Sequence, residues 1–267
     1  MKRIVMVIVA HDDPASLAEL VVNARHFCPD AQLYLYNSGD NMSLGTDLKI
    51  KMVPLPRRLY YAKVTPFFFD MFEWLTNERI PFDYAINLET DMLFVKKGFE
   101  AFICDVMANC DYMAPRFASF TSKKSRWRPI RSLRPELPEW FKVLGVEHTH
   151  EGFSPGQVFS SQYVGKLLAH PRYPDIRRLV KENKSYTLQE VLFPTLIDTL
   201  NLSGQSYPSG TEPFIRYRPY QGINGVKRAL ECPNIYYVHP IRREMDNAAR
   251  VFIRSLAHSQ SDGTGSL

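Results

Sequence analysis

From Lys2 to Ala108 the chain alternates short apolar runs with helix-like stretches, and this rhythm limits what it can fold into. Lys2–Ala10 is continuously apolar after its basic start and reads as a buried strand. Pro14–His26 reads as a helix, with Asp12 or Asp13 available as its cap. Ala31–Tyr36 and Leu48–Leu55 read as further strands, the first ended by Asn37-Ser-Gly-Asp and the second by Pro54 and Pro56. Thr65–Arg79 is apolar all round, as a well-buried helix would be. Tyr84–Leu93 is a fourth strand and Gly98–Ala108 a helix. Strands alternating with helices predict an α/β fold with a central, mostly parallel sheet flanked by helices. In such sheets the ligand crevice lies beyond the carboxyl ends of the strands. His11–Asp12, Asn37–Asp40 and Glu89–Asp91 all fall at or near such ends.

The middle of the chain is different. Arg116–Arg134 holds Arg116, Lys123, Lys124, Arg126, Arg128, Arg131 and Arg134 and no acid. Pro129 and Pro135 interrupt it, so it reads as a mobile loop: a cationic lip for a phosphorylated or lipid-linked substrate, or a solvated loop. It has no aromatic ladder, and the net charge of +5 is a mild excess. The balance suits an anionic ligand and does not argue for nucleic acid. Beyond it, Gly156–Ser160 reads as a short strand, Ser161–Ala169 and Thr187–Leu200 as helices, Asn234–Val238 as a strand and Glu244–Leu256 as a last helix. With no repeat and no linker, one domain is expected over residues 1–257, and the Ser/Gly-rich residues 258–267 read as a disordered tail. No run approaches ~18 apolar residues, so no spanning helix is expected, although peripheral membrane contact stays open. The start lacks a small-residue cleavage site, and the four cysteines form no CxxC pair. Reduced thiols and a cytoplasmic location are therefore expected.

Four segments carry candidate chemistry. In Tyr84-Ala-Ile-Asn-Leu-Glu-Thr-Asp-Met-Leu-Phe, Glu89 and Asp91 stand two apart after an apolar strand. Residues i and i+2 of extended chain point the same way, so both carboxylates can face one site and help hold Mg²⁺ or Mn²⁺. An acidic turn after a strand gives the same pattern. Glu190 lies in the first turn of a helix, off its apolar face. There it is either a carboxylate able to take a proton from a hydroxyl or half of a Thr187-x-x-Glu190 capping box. Asp198, later in the same helix, is the fallback base. Tyr236-Tyr-Val-His239-Pro-Ile-Arg242-Arg243 ends a strand with a histidine able to complete a metal shell and two arginines able to neutralise a diphosphate. A strand-end histidine and a solvated arginine pair fit equally. Gly156 lets the backbone approach a ligand, or simply makes a turn. Neither G-x-x-x-x-G-K-[ST] nor G-x-G-x-x-G occurs, so classical nucleoside-triphosphatase and dinucleotide readings lack support.

Taken in order, these segments resemble the core-2/I-branching β-1,6-N-acetylglucosaminyltransferase and xylosyltransferase family, in a divergent, bacterial-looking form. Ile8-Val-Ala-His11-Asp-Asp-Pro14 with its following helix and Leu33-Tyr-Leu-Tyr36 is similar to that family's first strand, helix and second strand. Asn87-Leu-Glu-Thr-Asp91-Met-Leu-Phe is similar to its strand ending in a Ser-x-x-Asp-like turn. Pro155-Gly-Gln-Val-Phe-Ser-Ser161-Gln-Tyr-Val164 is similar to its Gly-rich strand before a helix. Gln189-Glu190-Val-Leu-Phe-Pro-Thr195-Leu resembles its Asp-Glu-x-x-x-x-Thr-Leu segment, and His239-Pro-Ile-Arg242-Arg243 its His-Pro-Val-Lys tail.

The resemblance implies a GT-A-like, Rossmann-like fold and an inverting glycosyltransferase: hexosyl-, N-acetylhexosaminyl- or pentosyltransferase. It implies a nucleotide-diphosphate sugar donor, a UDP-sugar foremost, with Glu190 as base and Arg242 and Arg243 on the diphosphate. His11, Asp12, Asp13, Gly156 and Gln157 fall where the nucleotide is expected, and Glu89, Asp91 and His239 where Mn²⁺ or Mg²⁺ would sit. The acceptor is expected to be a small molecule or glycan, anionic or lipid-linked, in bacterial polysaccharide or glycoconjugate biosynthesis. The animal members are disulfide-rich and Golgi-anchored, which this chain does not match. Rival readings are a sugar- or nucleotide-binding module without turnover, and a retaining or sugar-nucleotide-hydrolysing relative on the same fold.

Overall fold

The structure, a computed structural model, describes residues 2–54, 57–120 and 125–259. The first half runs β1 (Ile4–Ala10), α1 (Pro14–Phe27), β2 (Gln32–Asn37), β3 (Lys51–Met52), α2 (Thr65–Asn77), β4 (Tyr84–Glu89), β5 (Leu93–Phe94), α3 (Phe99–Val106), β6 (Tyr112–Ala114) and β7 (Ala118–Phe120). The second half runs α4 (Arg128–Leu133), α5 (Leu137–Leu144), β8 (Thr149–Glu151), β9 (Val158–Ser160), α6 (Ser161–Leu168), α7 (Tyr173–Glu182), α8 (Gln189–Thr199), β10 (Gly204–Ser206), α9 (Ile223–Glu231), β11 (Tyr237–Val238) and α10 (Ala248–Ser259).

Seven strands form one sheet in the order β10-β6-β9-β4-β1-β2-β3. All its pairings are parallel except those of β9, which runs antiparallel to both β4 and β6. β1 shows why its sequence is apolar throughout. Ile4, Met6 and Ile8 face a core built with α1, α3, α9 and α10, while Val5, Val7 and Val9 face a second core with α2 and α5–α8. A strand covered on both sides has no face to give to polar residues. Both cores share the one sheet, which makes the chain a single domain. The sheet's parallel centre brings the carboxyl ends of β1, β2 and β4 to one edge.

Several sequence expectations need correction. Tyr84–Leu93 is two strands: the Met92 N–H donates to the Glu89 carbonyl at 2.9 Å, closing a turn, and β5 then pairs antiparallel with β11 in a separate two-stranded sheet. Apolar residues on both sides of the acidic turn disguise the break. Leu48–Leu55 shrinks to a 3₁₀ turn at Thr46–Leu48 and the two residues of β3, with residues 55–56 outside the described residues. Arg116–Arg134 is largely ordered, because β7 pairs with β8 and α4 follows. Pro129 stands in the first turn of α4, where a missing N–H costs nothing. Prolines occupy the same place in α1, α2, α5 and α7, so here they mark helix starts. The last helix reaches Ser259, and residues 260–267 lie outside the described residues, as do Lys123 and Lys124. All four cysteines are free thiols. No helix among the described residues is long and apolar enough to cross a membrane.

Candidate active site

A cleft of about 500 Å³ opens at the carboxyl ends of β1 and β4, and its lining includes His11, Glu89, Asp91, Glu190, His239 and Arg243. One wall is assembled by the small β5–β11 sheet. Val238 pairs with Leu93, so Asp91, two residues before β5, meets His239, one residue after β11. The Ile241 N–H donates to the Asp91 carbonyl at 2.9 Å, and the His239 N–H to the Phe214 carbonyl at 2.9 Å. Ligand atoms of Glu89, Asp91 and His239 lie within 4.8 Å of one another. The nearest contacts are His239 Nε2 to Asp91 Oδ1 at 3.4 Å and Arg243 Nη2 to Asp91 Oδ2 at 3.5 Å.

The donor set suits a divalent cation. His239 Nδ1 lies 2.9 Å from the Arg216 carbonyl, to which it donates, leaving the Nε2 lone pair turned toward the carboxylates. Asp91 Oδ1 is buried and accepts no hydrogen bond among the described residues. Two carboxylates and one imidazole are a set that Mn²⁺ accepts readily. The charges are strongly coupled. Burial pushes the Glu89 carboxyl up, helped by the Asp91 charge, to about 7. Burial would raise Asp91 too, but His239 and Arg243 outweigh it and hold that carboxyl below its ordinary range. Burial opposes a charge on His239, and Asp91 overcomes it, so the imidazole is raised. Behind this wall the fully buried Arg250 pairs with Glu19 and donates to the Arg242 carbonyl at 2.9 Å, fixing the loop that carries Arg243.

Glu190 stands on the other wall, in the first turn of α8 and 6% exposed. The capping box is not formed. The Thr187 N–H donates to the Ala62 carbonyl, and no side chain among the described residues caps α8. The Glu190 carboxylate instead accepts from the Ser154 N–H at 3.3 Å. Burial pushes it up to about 8, against the pull of that N–H. Pro194 contributes to its placement. A proline inside a helix cannot donate to the carbonyl four residues back, here that of Glu190. The freed carbonyl accepts from the Gly152 N–H at 2.9 Å, binding the segment after β8 to α8.

The remaining expected residues divide. His11 lines the cleft, its Nδ1 2.6 Å from the Ser38 hydroxyl. Asp13 caps α1 by accepting from the Ser16 N–H at 2.9 Å, and neither it nor Asp12 lines the cleft. Gly156 packs against the core: at φ +77° it lies so close to Tyr237 that a Cβ would come within 2.2 Å of the hydroxyl. Gln157 is fully buried beneath the floor, its N–H donating to Asn87 Oδ1 at 2.8 Å. Both support the site without facing the cleft. Arg242 turns aside over the Tyr220 ring at 4.7 Å, leaving Arg243 to face Asp91. Of the basic lip, Arg128 lines the cleft, its guanidinium 4.0 Å above the Tyr186 ring. Asp198 is outside the cleft, paired with two histidines. Sequence reasoning missed the aromatic rim, where Tyr61 lies 3.0 Å from Tyr217 and 3.3 Å from Tyr186 between hydroxyls. It also missed Ser154. These residues come from separate loops, and no local pattern marks them.

No family model matches the chain, and no curated protein matches it in sequence. Among solved structures the chain is similar to the galactosyltransferase LgtC in complex with donor and acceptor sugar analogues. The TM-score is 0.50 and the identity 12%, with 96% of this chain and 95% of that one covered. An active-site variant of LgtC aligns with a TM-score of 0.51 at 12% identity over the same shares. At this identity the likeness concerns architecture: a mixed α/β domain with a central, mostly parallel sheet, the GT-A fold.

Proposed function

We propose that the chain is a glycosyltransferase that moves a sugar from a nucleotide-diphosphate donor, a UDP-sugar foremost, to an acceptor hydroxyl. The observation that carries the reading is one cleft with a carboxylate–imidazole–guanidinium cluster on one wall and a buried, titratable Glu190 on the other. Glu89, Asp91 and His239 would hold Mn²⁺ or Mg²⁺, which supplies positive charge beside the diphosphate when bound. Arg243 adds a fixed guanidinium where negative charge develops. Glu190 takes the proton of the acceptor hydroxyl. The acceptor oxygen forms the new bond at the anomeric carbon, and the old carbon–oxygen bond breaks with its electron pair leaving on the diphosphate. A carboxyl raised to about 8 is matched to that task near neutral pH. Membership of the core-2/xylosyltransferase-like family belongs to the same reading, supported by the order of the five matching segments. The exposed Arg128 on the rim supports an anionic acceptor. The free thiols support a reducing compartment.

The test is a thermal-shift screen of UDP-, GDP- and TDP-sugars with Mn²⁺ or chelator, followed by nucleotide release with candidate acceptors and NMR of the product anomer. A cognate donor at 100 Kd adds about 2.7 kcal/mol of stability. Saturable binding with no release for any acceptor would make the chain a binding module. A product that keeps the donor's anomeric configuration would remove Glu190 from the role of base and leave transfer itself intact.

A further inference from the structure

A second cluster of ligand atoms lies apart from the cleft. His148 and His150 flank Thr149 at the start of β8, and in extended chain residues two apart share a face. Both Nε2 atoms converge on one oxygen of Asp198 in α8: His148 at 3.0 Å and His150 at 2.8 Å. The three donor atoms lie within 4.8 Å of one another, and none of the three residues lines the cleft.

The cluster is pre-formed. Thr195 and Asp198 are three apart on α8 and both face β8, because the His150 N–H donates to Thr195 Oγ1 at 2.9 Å. The Phe117 ring stacks on the His150 imidazole with centroids 5.4 Å apart and planes 18° from parallel. His150 Nδ1 is buried without a hydrogen-bond partner among the described residues, so the Nε2 edge carries the polar interactions of that ring. Exposure is uneven: the His150 side chain is 9% exposed, His148 44% and Asp198 34%. One side is therefore held by the core, and the other is open for an ion and its waters to enter.

We propose that His148, His150 and Asp198 form a second divalent-cation site, suited to Zn²⁺, that pins β8 to α8. Two imidazoles and one carboxylate match Zn²⁺ better than the all-oxygen shells that Mg²⁺ and Ca²⁺ prefer. Binding requires the imidazoles to ligate through Nε2 with the ring proton on Nδ1. Asp198 lies eight residues beyond Glu190 on α8, roughly 12 Å along the axis at about 1.5 Å per residue. The ion acts as a clamp on the two elements already joined by the bond from Gly152 to Glu190. It takes no part in the chemistry of the cleft, so the site stands or falls separately from the transferase reading.

The experiment uses the full chain carrying Asp91→Asn, which disables the cleft cluster. The protein is stripped with chelator and titrated with Zn²⁺ by calorimetry, and Co²⁺ absorption reports the ligand geometry. One equivalent should bind and raise the melting temperature. Adding His148→Ala should weaken binding by about tenfold or more and abolish the thermal shift, and Asp198→Asn should do the same. His148 is half-exposed, and Asn keeps the shape of Asp198, so a folded variant is secured by one or the other. An Asp91→Asn protein with no saturable Zn²⁺ binding overturns the proposal. So does a His148→Ala or Asp198→Asn variant with unchanged affinity, which would assign the metal to other surface histidines.

Discussion

Asp91 and Glu190 face the same cleft, yet His239 and Arg243 hold Asp91 below the ordinary carboxylate range while burial pushes Glu190 up to about 8. Burial acts on both, and the difference lies in what surrounds each. Asp91 has an imidazole and a guanidinium within 3.5 Å. Glu190 accepts from the Ser154 backbone N–H, is helped more weakly by the Thr187 side chain and the Arg116 charge, and forms no ion pair among the described residues. Buried carboxyls with and without cationic partners thus divide into a fixed charge and a titratable group. The fixed charge suits a metal and a diphosphate, and the titratable group suits a proton.

The largest expected effect breaks the titratable side. Glu190→Gln keeps the shape and an acceptor for the Ser154 N–H but cannot take a proton. It should lower kcat by about 10²–10⁴, the usual contribution of a positioned base, with donor affinity unchanged. Steady-state kinetics with titration calorimetry for the donor checks both. Normal turnover in a folded Glu190→Gln protein would show that the carboxylate is not the base.

The same variant sharpens the comparison through pH. A base raised to about 8 makes the rate climb as pH rises toward that value, and Glu190→Gln should lose the climb. Stability runs the other way. Glu190 is raised above its ordinary 4.5, so its contribution is full below that value and is lost as pH rises through about 8. Glu89, raised to about 7, acts in the same direction. Asp91 is lowered, so its contribution is present above 3.8 and is lost as pH falls through its lowered value. Denaturant melts from acid to alkaline pH should show wild type weakening on the alkaline side and Glu190→Gln weakening less. Parallel curves would mean that Glu190 is already ionised at neutral pH.

On the fixed-charge side, Asp91→Asn should weaken Mn²⁺ binding by about 10²-fold and erase the difference between Mn²⁺ and chelator in donor binding. Calorimetry with the donor in both conditions reads it. A wild-type protein equally active in Mn²⁺ and in chelator would leave Arg243 as the diphosphate's principal partner.

The two walls also differ in how legible they are in sequence. The Glu89–Asp91 pair and His239 are visible because strand ends concentrate ligands and i, i+2 spacing is local. What brings them together is the pairing of β5 with β11, a contact between segments more than 140 residues apart that no local pattern announces. Glu190 is visible as a residue but ambiguous in role, since a capping box and a buried base share one spelling. The left-handed Thr187, at φ +47°, and the bond from its N–H to Ala62 decide between them, and both are tertiary. The parallel frame of β1, β2 and β4 is readable because strands buried on both faces must be apolar throughout. Short elements such as β6, β8 and β10, three residues each, carry too little pattern to be read. Gly156 misleads because a glycine that admits a ligand and one that admits Tyr237 look alike.

The smallest expected effect concerns the rim between the two walls, where Arg128 and Arg126 differ in a usable way. Both are exposed, but only Arg128 lines the cleft, with its guanidinium over Tyr186. If the acceptor is anionic, Arg128→Ser should raise its KM by up to about fivefold at low salt, because an exposed charge pair contributes roughly 0.2–1 kcal/mol. The effect should shrink as ionic strength shortens the screening length toward about 8 Å. Arg128→Lys should restore part of it, since charge survives even though the planar fork is lost. Arg126→Ser should leave acceptor kinetics unchanged, and donor affinity should be the same in all three. The measurement is acceptor KM against salt for each variant. An unchanged KM for Arg128→Ser at low salt would make the rim neutral toward acceptor charge and leave Arg128 as a ring-stacking partner of Tyr186.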